Sequence, residues 1–447
     1  MDKRRVALES LGCKLNYSET VQIGKEFRRR GFEVVDSTVP ADIFVINTCT
    51  VTSAADSDCR QVVRRALRAS PDAFVVVTGC YAQGKPDQVA GIDGVDLVLG
   101  AREKFNLFDY LGDMKKQATQ VVGQESDIQA SYHARVFAGR IEDAVEFGAA
   151  DSAAAGTRTR AFLKVQDGCS YNCSYCTIPR VRGISRSPSV AFLVSQAKEI
   201  ASCGFKEIVL SGVNVGDFKG SDGDSLIALL TELEKVEGIQ RIRISSIEPN
   251  LLTKEIVKFV AASAKYCKHF HIPLQNGSDE ILRKMRRRYN SAQYREIVEY
   301  VKEVMPSAGI GADIIVGFPG ETAGHFEENL SFVEGLPLSY LHVFSYSERD
   351  GTDAARFDKV VDPRVRKKRS EVLRVLSAQK RYEFNKQYMG RIMKILVEEE
   401  VRDGKMFGFT SNYIRVEIDS SSSRANEICD VLITGVSDST VTGRVIL

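Results

Sequence analysis

Residues 166–186 read QDGCSYNCSYCTIPRVRGISR, and within this stretch Cys169, Cys173 and Cys176 form a C-x-x-x-C-x-x-C array. Three thiolates on one short loop can ligate three irons of a cubane iron–sulfur cluster, which leaves the fourth iron without a ligand from the array. A zinc site more often has two C-x-x-C pairs, or one C-x-x-C followed by paired histidines, and neither occurs here. Zinc ligation and three unligated core cysteines are therefore the less favoured alternatives.

The array, with Tyr175 directly before its last cysteine, resembles the signature of the radical S-adenosylmethionine (SAM) superfamily. The resemblance implies a [4Fe-4S] cluster whose open iron chelates the amino and carboxylate groups of SAM. It also implies that one electron cleaves SAM to a 5′-deoxyadenosyl radical. An unactivated C–H bond is the expected target of that radical.

Length, charge and cysteine content limit the class of protein. A chain of 447 residues exceeds one ordinary core, so we expect several domains. The formal net charge is only +2, so any surface that binds a polyanion must be local. The sequence has neither an apolar leader nor an apolar run of about 18 residues, which predicts a cytosolic protein with no membrane contact. Ten cysteines in such a chain favour ligands, redox groups or small buried side chains over disulfides.

Strand-like and helical segments alternate over the first 115 residues, which predicts a doubly wound parallel sheet. Three apolar strands end on a cysteine: Cys13 in LGCKLN, Cys49 in NTCTVT and Cys80 in TGCYAQ. Because sites in such sheets form beyond the carboxyl ends of the strands, we expect these cysteines to meet at one edge. Three buried, inert thiols are the alternative that these residues alone leave open.

These three segments resemble the N-terminal domain of the methylthiotransferases, in which three such cysteines hold a second [4Fe-4S] cluster. Members of that family insert sulfur and then a methyl group at an unactivated carbon. The resemblance implies that one SAM supplies the radical at the central cluster. It further implies that sulfur, methylated by a second SAM, comes from the cluster held by Cys13, Cys49 and Cys80.

From residue 158 to 383, six strand-like runs alternate with helical patterns, which predicts an open (β/α)6 barrel. Active sites in such barrels lie at the C-terminal strand ends, and the cysteine loop follows the first strand. Polar residues and glycines at these ends resemble the SAM-contacting edges of the superfamily, although the commonest GGE-type stretch is SGVN here. Ordinary strand-to-helix turn chemistry is the alternative for each of them. The candidates for cofactor binding are Tyr175, Gly212, Asn214, Ser246, Glu248 and Gln275.

Two further features of this region have competing interpretations. His269 and His271 share one strand face, and we predict packing inside the barrel rather than a metal site. Residues 364–381 carry eight basic residues and one acidic residue, for a net charge of +7. We predict a helix that contacts RNA phosphates, with a solvated helix face as the alternative.

The last stretch, 384–447, contains four or five short strand patterns and predicts a small antiparallel β-barrel. It resembles the TRAM domain, an oligonucleotide-binding-like barrel at the end of many RNA-modifying enzymes. Phe407, Phe409 and Tyr413 are candidates for base stacking, with a structural role inside the barrel as the alternative. The predicted organisation is an N-terminal cluster-binding domain over 1–115, a linker over 116–157, a radical SAM core over 158–383 and this TRAM domain over 384–447.

Within the methylthiotransferase family, LGCKLN, NTCTVTSAAD, CTIPRVRG and RISSIEP look most like the members that act on N6-threonylcarbamoyladenosine (t6A) of tRNA. The implied partners are the anticodon stem-loop carrying t6A and a reductase or flavodoxin-type electron donor. Arg180 and Arg182 follow the cysteine loop and are candidates for contacts to the substrate carboxylate, although Arg180 departs from the family's commoner residue. Isopentenyladenosine tRNA, a ribosomal-protein aspartate, and a non-enzymatic iron–sulfur carrier or sensor are the alternatives.

Overall fold

The computed structural model describes residues 3–50, 53–116, 120–122, 129–131, 134–153, 159–419 and 424–446. These residues form two compact units. The first contains the described residues up to 153 together with 167–171 and 176–186, and the second contains 159–166, 172–175 and the described residues from 187 onward. Among the described residues, no helix combines the length and apolarity needed to cross a membrane.

A six-stranded parallel sheet forms the centre of the first unit, in the order β2-β1-β3-β4-β5-β8. A separate antiparallel pair, β6 and β7, follows β5 in the chain. The strands are β1 Arg5–Ser10, β2 Glu33–Val35, β3 Ile43–Thr48, β4 Phe74–Gly79, β5 Leu97–Leu99, β6 Gln120–Val122, β7 Gln129–Ser131 and β8 Arg135–Phe137. The helices of this unit are α1 Lys14–Arg29, α2 Ser53–Ala69, α3 Cys80–Gly84, α4 Pro86–Ala90, α5 Phe108–Leu111 and α6 Ile178–Arg182.

Alternate residues of the sheet pack into two separate cores, one on each face. Val45 and Val76 face a core that includes Phe27 of α1. Their neighbours along the strands, including Ile46, face the other core, which includes Val63 of α2. Helices therefore cover both faces, and the predicted doubly wound sheet is confirmed.

β8 lies within the stretch 116–157 that the sequence analysis treats as a linker. It pairs in parallel with β5 and so adds the sixth strand to the sheet. Further along, Asp151 is buried and bonds Lys25 of α1 at 2.6 Å. Residues 117–119, 123–128, 132–133 and 154–157 of the predicted linker lie outside the described residues, and the domain boundaries stay a prediction.

The second unit begins with six parallel strands, as predicted for an open barrel. They form two sheets, β11-β10-β9 and β12-β13-β14, which a parallel bridge between Ser246 and His271 connects. The strands are β9 Arg160–Lys164, β10 Glu207–Ser211, β11 Arg241–Ile244, β12 His269–His271, β13 Gly309–Val316 and β14 Tyr340–Ser345. The helices between them are α7 Val190–Ser202, α8 Leu226–Glu234, α9 Lys254–Ala262, α10 Asp279–Lys284, α11 Ser291–Val304 and α12 Ala323–Glu334.

The basic stretch forms part of α13, Pro363–Lys386. The Asp362 side chain caps its first turn by accepting a hydrogen bond from the Arg364 N–H at 2.7 Å. Two of the eight basic side chains in residues 364–381 are buried: Arg366 pairs with Glu348, and Arg369 pairs with Glu321 at 2.7 Å. The other six of that stretch are exposed or half-buried, so it presents fewer cations than the sequence count implies.

The chain ends in a closed five-stranded barrel of the predicted kind, in the order β15-β16-β17-β19-β18. One detail differs from the wholly antiparallel expectation, because β17 and β19 pair in parallel. β19 is antiparallel to β18 and closes the barrel by pairing with β17. It runs in the same direction as β17, so this one pair is parallel. The strands are β15 Ile392–Arg402, β16 Lys405–Thr410, β17 Arg415–Asp419, β18 Ile428–Val436 and β19 Val441–Val445.

The turn between β16 and β17 packs against the N-terminal ends of the (β/α) barrel strands. Arg241, the first residue of β11, donates a hydrogen bond to the Phe409 carbonyl at 2.7 Å. The Tyr413 ring stacks on His269 with 4.5 Å between centroids, and on Phe409 at 4.9 Å. Phe409 and Tyr413 therefore contribute to packing between the two barrels, and base stacking by these half-buried rings stays a prediction.

Gly311 provides a test of the barrel packing. A Cβ at this position would overlap the Tyr340 ring, whereas a Cβ at Gly324 in α12 would have its nearest neighbour 3.8 Å away. We expect Gly311→Ala to destabilise the protein by about 1–3 kcal/mol, because overpacked cores must shift. Gly324→Ala should be neutral or stabilising by up to about 1 kcal/mol. Urea unfolding of both variants measures the difference, and equal stabilities would contradict this packing.

Candidate functional site

The three N-terminal cysteines follow adjacent strands of the first unit. Cys13 comes three residues after β1, while Cys49 and Cys80 directly follow β3 and β4. These strands are neighbours in the order β1-β3-β4. Since parallel strands lie about 4.8 Å apart, the strand ends that carry the cysteines span roughly 10 Å.

Close backbone packing brings these strand ends together. A Cβ at Gly12 would lie 2.5 Å from the Cys49 Cβ and 2.8 Å from its Sγ, so only glycine lets the Cys13 turn approach Cys49. Gly79 has a φ of +97°, and a Cβ there would lie 2.5 Å from the Thr48 carbonyl oxygen. Both glycines directly precede a cysteine, and both permit a contact that a side chain would block.

The thiol of Cys80 is buried and faces a cation. Burial raises the pKa of this thiol, the nearby Arg182 and Lys104 oppose that effect, and Cys13 adds to it. The influence of Cys13 on Cys80 agrees with their positions at one sheet edge. A buried thiol in such surroundings ionises when a metal ion or a close cation compensates the charge.

Arg182, the last residue of α6, is 2% exposed and reaches into the same edge. Its Nε donates to the Cys80 Sγ at 3.3 Å. Its terminal nitrogens donate to Glu19 at 3.0 and 3.1 Å, to Asp167 at 2.9 Å and to the Asn16 side chain at 2.6 Å. Burial alone would lower the pKa of Arg182, but Cys80 and the carboxyl groups of Glu19 and Asp167 raise it well above its usual value.

The predicted role of Arg182 in substrate binding is therefore wrong. Its guanidinium is buried and engaged with residues of its own unit, so it offers no face to a substrate carboxylate. Arg180 and Arg182 lie only two residues apart, but α6 directs their side chains to opposite sides, so that one is exposed and the other buried. The two were not separated in the sequence analysis. Arg180 is exposed, and its role in substrate binding stays a prediction.

The central array divides between the two units. Cys169 and Cys176 belong to the first unit, where their Sγ atoms accept backbone N–H groups of Tyr171 at 3.4 Å and Ile178 at 3.5 Å. Cys173 and Tyr175 belong to the second unit. Backbone donors to sulfur are typical of loops that ligate iron–sulfur clusters, because they stabilise thiolate charge.

A buried arginine that the sequence analysis missed contacts Cys173. Arg287 donates to the Cys173 Sγ at 3.1 Å and to the Tyr175 hydroxyl at 3.4 Å, and it forms an ion pair with Glu248. Its side chain is only 3% exposed, although it comes from the basic run RKMRRRY, which looks solvated. Burial raises the pKa of the Cys173 thiol, and Arg287 counters that effect. Only the tertiary fold distinguishes Arg287 from its basic neighbours.

Other predicted SAM contacts lie at the same C-terminal strand ends. Asn214 is buried, and its backbone N–H donates to the Gln166 side chain at 2.9 Å. Both polar atoms of the Asn214 side chain lack a hydrogen-bond partner among the described residues, as does the Ser245 hydroxyl. A Cβ at Gly212 would lie 3.0 Å from the Gln166 Oε1, so the backbone runs close to this side chain. Unpaired buried polar atoms suit a polar ligand such as SAM.

Gln275 and Ser246 lie on the neighbouring strand ends. Gln275 adopts a φ of +68°, and its backbone bonds β13 at Asp313 and Ile315 with 2.8 Å each. Ser246 forms the bridge to His271 that joins the two halves of the barrel. Their backbone positions are fixed, and their contacts to SAM stay predictions.

The two histidines of β12 are engaged within the barrel. His269 bonds the Tyr340 hydroxyl at 2.9 Å, and His271 bonds Asp313 at 2.8 Å. His342 also approaches Asp313 at 3.3 Å, and hydrogen bonds from both histidines outweigh burial and lower the pKa of this carboxyl. These contacts agree with packing inside the barrel, which the sequence analysis preferred to a metal site.

Comparisons with known proteins agree with this arrangement. The profile of the radical SAM superfamily matches residues 163–333, and that of the family described as "Uncharacterized protein family UPF0004" matches residues 5–100. Similar solved structures include the radical SAM methyltransferase TsrM from Kitasatospora setae, with a TM-score of 0.57, 15% identity, and coverage of 76% of this chain and 73% of that one. The cobalamin-dependent radical SAM enzyme OxsB has a TM-score of 0.51 at 15% identity and covers 86% of this chain and 58% of that one. At such low identity these structures show a shared fold.

Curated relatives match over nearly the whole chain. The threonylcarbamoyladenosine tRNA methylthiotransferase MtaB of Bacillus subtilis is 38% identical to this chain, and the alignment covers 96% of this chain and 93% of that protein. The protein of the same name from Aquifex aeolicus is also 38% identical, over 92% of this chain and 96% of that protein. A tRNA-2-methylthio-N(6)-dimethylallyladenosine synthase of Clostridium botulinum is 31% identical over 98% of this chain and 96% of that protein. The chain therefore belongs to the tRNA methylthiotransferase family of radical SAM enzymes.

Proposed function

We propose that this protein methylthiolates C2 of N6-threonylcarbamoyladenosine next to the anticodon of tRNA. The observation that carries the proposal is the second set of cysteines, Cys13, Cys49 and Cys80, gathered at one sheet edge where Arg182 donates to Cys80. An enzyme that only generates a radical needs one cluster. A second site for sulfur suits an enzyme that also delivers a sulfur atom.

Two cysteine sets hold the two [4Fe-4S] clusters in this proposal. Cys169, Cys173 and Cys176 ligate the cluster that binds SAM, and Cys13, Cys49 and Cys80 ligate the other. When bound, the clusters and SAM supply the radical, the sulfur and the methyl group. The donor sets fit, because each consists of three thiols with an unused coordination position and each includes a thiol that faces a buried guanidinium.

The polar residues at the C-terminal strand ends orient SAM. The unpaired side-chain atoms of Asn214 and the hydroxyl of Ser245 bond its polar groups, while Arg287 fixes Cys173, Tyr175 and Glu248 in one arrangement. The electron reaches the cluster from a reductase or flavodoxin-type donor in the cytoplasm.

The exposed cations of α13 bind phosphates of the tRNA. Lys367, Lys368 and Arg374 are exposed on this helix, and its first turn is fixed by the Asp362 cap. The target adenine lies in a single-stranded loop, so bringing it to the barrel costs a few kcal/mol of unstacking. Contacts to the phosphate backbone supply the sequence-independent part of the affinity.

The substrate is t6A rather than isopentenyladenosine in this proposal. Two relatives at 38% identity carry the threonylcarbamoyladenosine name, whereas the dimethylallyladenosine relative is 31% identical. The threonyl carboxylate needs a cation or several donors, for which Arg180 is the predicted residue. Isopentenyladenosine tRNA is the second candidate, and a ribosomal-protein aspartate has no specific observation in its favour.

Replacing one cysteine of each set separates the two clusters. Cys173→Ala should abolish 5′-deoxyadenosine formation, while Cys49→Ala should cleave SAM yet form no methylthio product. Each variant should hold about four irons per chain against about eight in the wild type, because each cubane contains four. The matched control is Cys59→Ala, whose thiol is buried in α2 with a pKa raised by burial to about 12. Unchanged iron in Cys49→Ala would return these cysteines to core packing, and wild-type reduction without SAM cleavage would favour an electron carrier.

Charge reversal on α13 tests the tRNA surface. The double variant Lys367→Glu with Lys368→Glu should weaken tRNA binding and reduce the slope of log K against log salt by roughly 1–2, since each lost phosphate contact removes about 0.7–0.9. Filter binding at several salt concentrations measures both. Lys198→Glu with Lys258→Glu makes the same charge change on α7 and α9, and an equal loss of affinity in this control would contradict a specific role of α13.

Turnover of three tRNA substrates tests the assignment to t6A. We expect conversion of t6A-containing tRNA, and at least roughly 100-fold slower conversion of isopentenylated and unmodified tRNA, because a site built for a charged group discriminates strongly against its absence. Mass spectrometry of digested nucleosides measures the methylthio products. Equal turnover of the isopentenylated tRNA would remove the t6A assignment and leave the methylthiotransferase activity intact.

A further inference from the structure

We propose that Arg182 is a positioning residue that raises the reduction potential of the cluster held by Cys13, Cys49 and Cys80. The inference rests on the proposed function, because it takes Cys80 as a ligand of that cluster. It adds a role for a side chain that is neither a ligand nor a substrate contact.

The geometry supports a direct electrostatic effect on the cluster sulfur. The Arg182 Nε lies 3.3 Å from the Cys80 Sγ, and both side chains are almost fully buried. A charge-assisted hydrogen bond in a dry environment is stronger than one in water. Because reduction adds negative charge to the cluster and its sulfurs, a cation and an N–H donor stabilise the reduced state.

Carboxylates on the far side of the guanidinium hold it in place. Glu19 accepts from both terminal nitrogens of Arg182 and also pairs with Lys104 at 2.6 Å. Asp167 accepts from Arg182 at 2.9 Å and from Arg186 at 3.2 Å. These contacts bring together three cations, Arg182, Lys104 and Arg186, and the two carboxylates of Glu19 and Asp167, so the contacts named here add a net positive charge near Cys80.

The helix that carries Arg182 also contacts the other cysteine set. The N–H of Ile178, the first residue of α6, donates to the Cys176 Sγ at 3.5 Å, and Arg182 is the last residue of the same helix. Four residues of α-helix rise about 6 Å. One short helix thus contacts Cys176 at its first residue and Cys80 at its last.

Cys173 has a matching partner in the second unit. Arg287 donates to its Sγ at 3.1 Å and is neutralised by Glu248. Each cysteine set therefore has one thiol that faces a buried guanidinium. Arg287 forms an ion pair with one carboxylate, whereas Arg182 belongs to a network with two carboxylates and two further cations. The different charge around the two arginines suits clusters with different electron affinities.

The test uses the full chain with Cys169, Cys173 and Cys176 replaced by Ala, so that only the N-terminal cluster forms. A mediated redox titration followed by electron paramagnetic resonance gives its midpoint potential. Arg182→Gln should lower the ratio of reduced to oxidised cluster at fixed potential by about tenfold, equivalent to about 59 mV for one electron. Glu19→Gln should shift the ratio in the opposite direction, because it removes a negative charge, and Arg182→Lys should restore most of the wild-type value.

Opposite shifts distinguish tuning from simple support of the fold. Shifts of both variants in the same direction, or no shift in either, would overturn the inference while leaving the cluster assignment intact. Arg180→Gln is the matched control, since it removes the same charge from an exposed position of α6 and should leave the potential unchanged. If Arg182→Gln does not retain the cluster, the midpoint potentials of Glu19→Gln and Arg182→Lys still test the inference. Absence of any cluster in the background protein would overturn this inference together with the proposed role of Cys13, Cys49 and Cys80.

Discussion

Parallel strands end together, and both predicted cluster sites depend on this constraint. In the first unit, β1, β3 and β4 run side by side, so the cysteines that follow them come from distant segments and still meet at one edge. In the second unit, Gly212, Asn214 and Gln275 follow the ends of barrel strands. Side-by-side strands convert positions far apart in the chain into one site, which is why the same type of edge can hold two chemistries.

Buried guanidinium groups complete these edges. Arg182 and Arg287 each contact a cysteine, and each forms ion pairs with carboxylates, Arg182 with Glu19 and Asp167 and Arg287 with Glu248. Removing one partner of such a pair costs about 3–5 kcal/mol, because it leaves an uncompensated buried charge. The same groups that stabilise thiolate charge therefore also bind local segments of the fold together.

The C-terminal barrel has a structural role besides any contact with RNA. Its turn between β16 and β17 closes the N-terminal end of the (β/α) barrel, where Arg241 and Arg243 donate to its carbonyl groups. The stacked rings of His269, Tyr340 and Tyr413 fill the space next to these contacts. With that end filled, the C-terminal strand ends remain as the predicted site for SAM, and α13 carries exposed cations.

The sequence by itself determined most of the strands and helices, with β8 as an exception, and it singled out two sets of three cysteines as candidate cluster ligands. Local periodicity sets secondary structure, and a cysteine directly after an apolar strand, as at Cys49 and Cys80, has its position fixed by that strand. The tertiary structure alone decided which arginines are buried, since Arg182 was a candidate for substrate binding and Arg287 belongs to a basic run. It also decided that Phe409 and Tyr413 pack against the barrel. These outcomes depend on contacts between residues more than a hundred positions apart, such as Arg182 with Cys80, and charge or aromatic content in a short window carries no information about them.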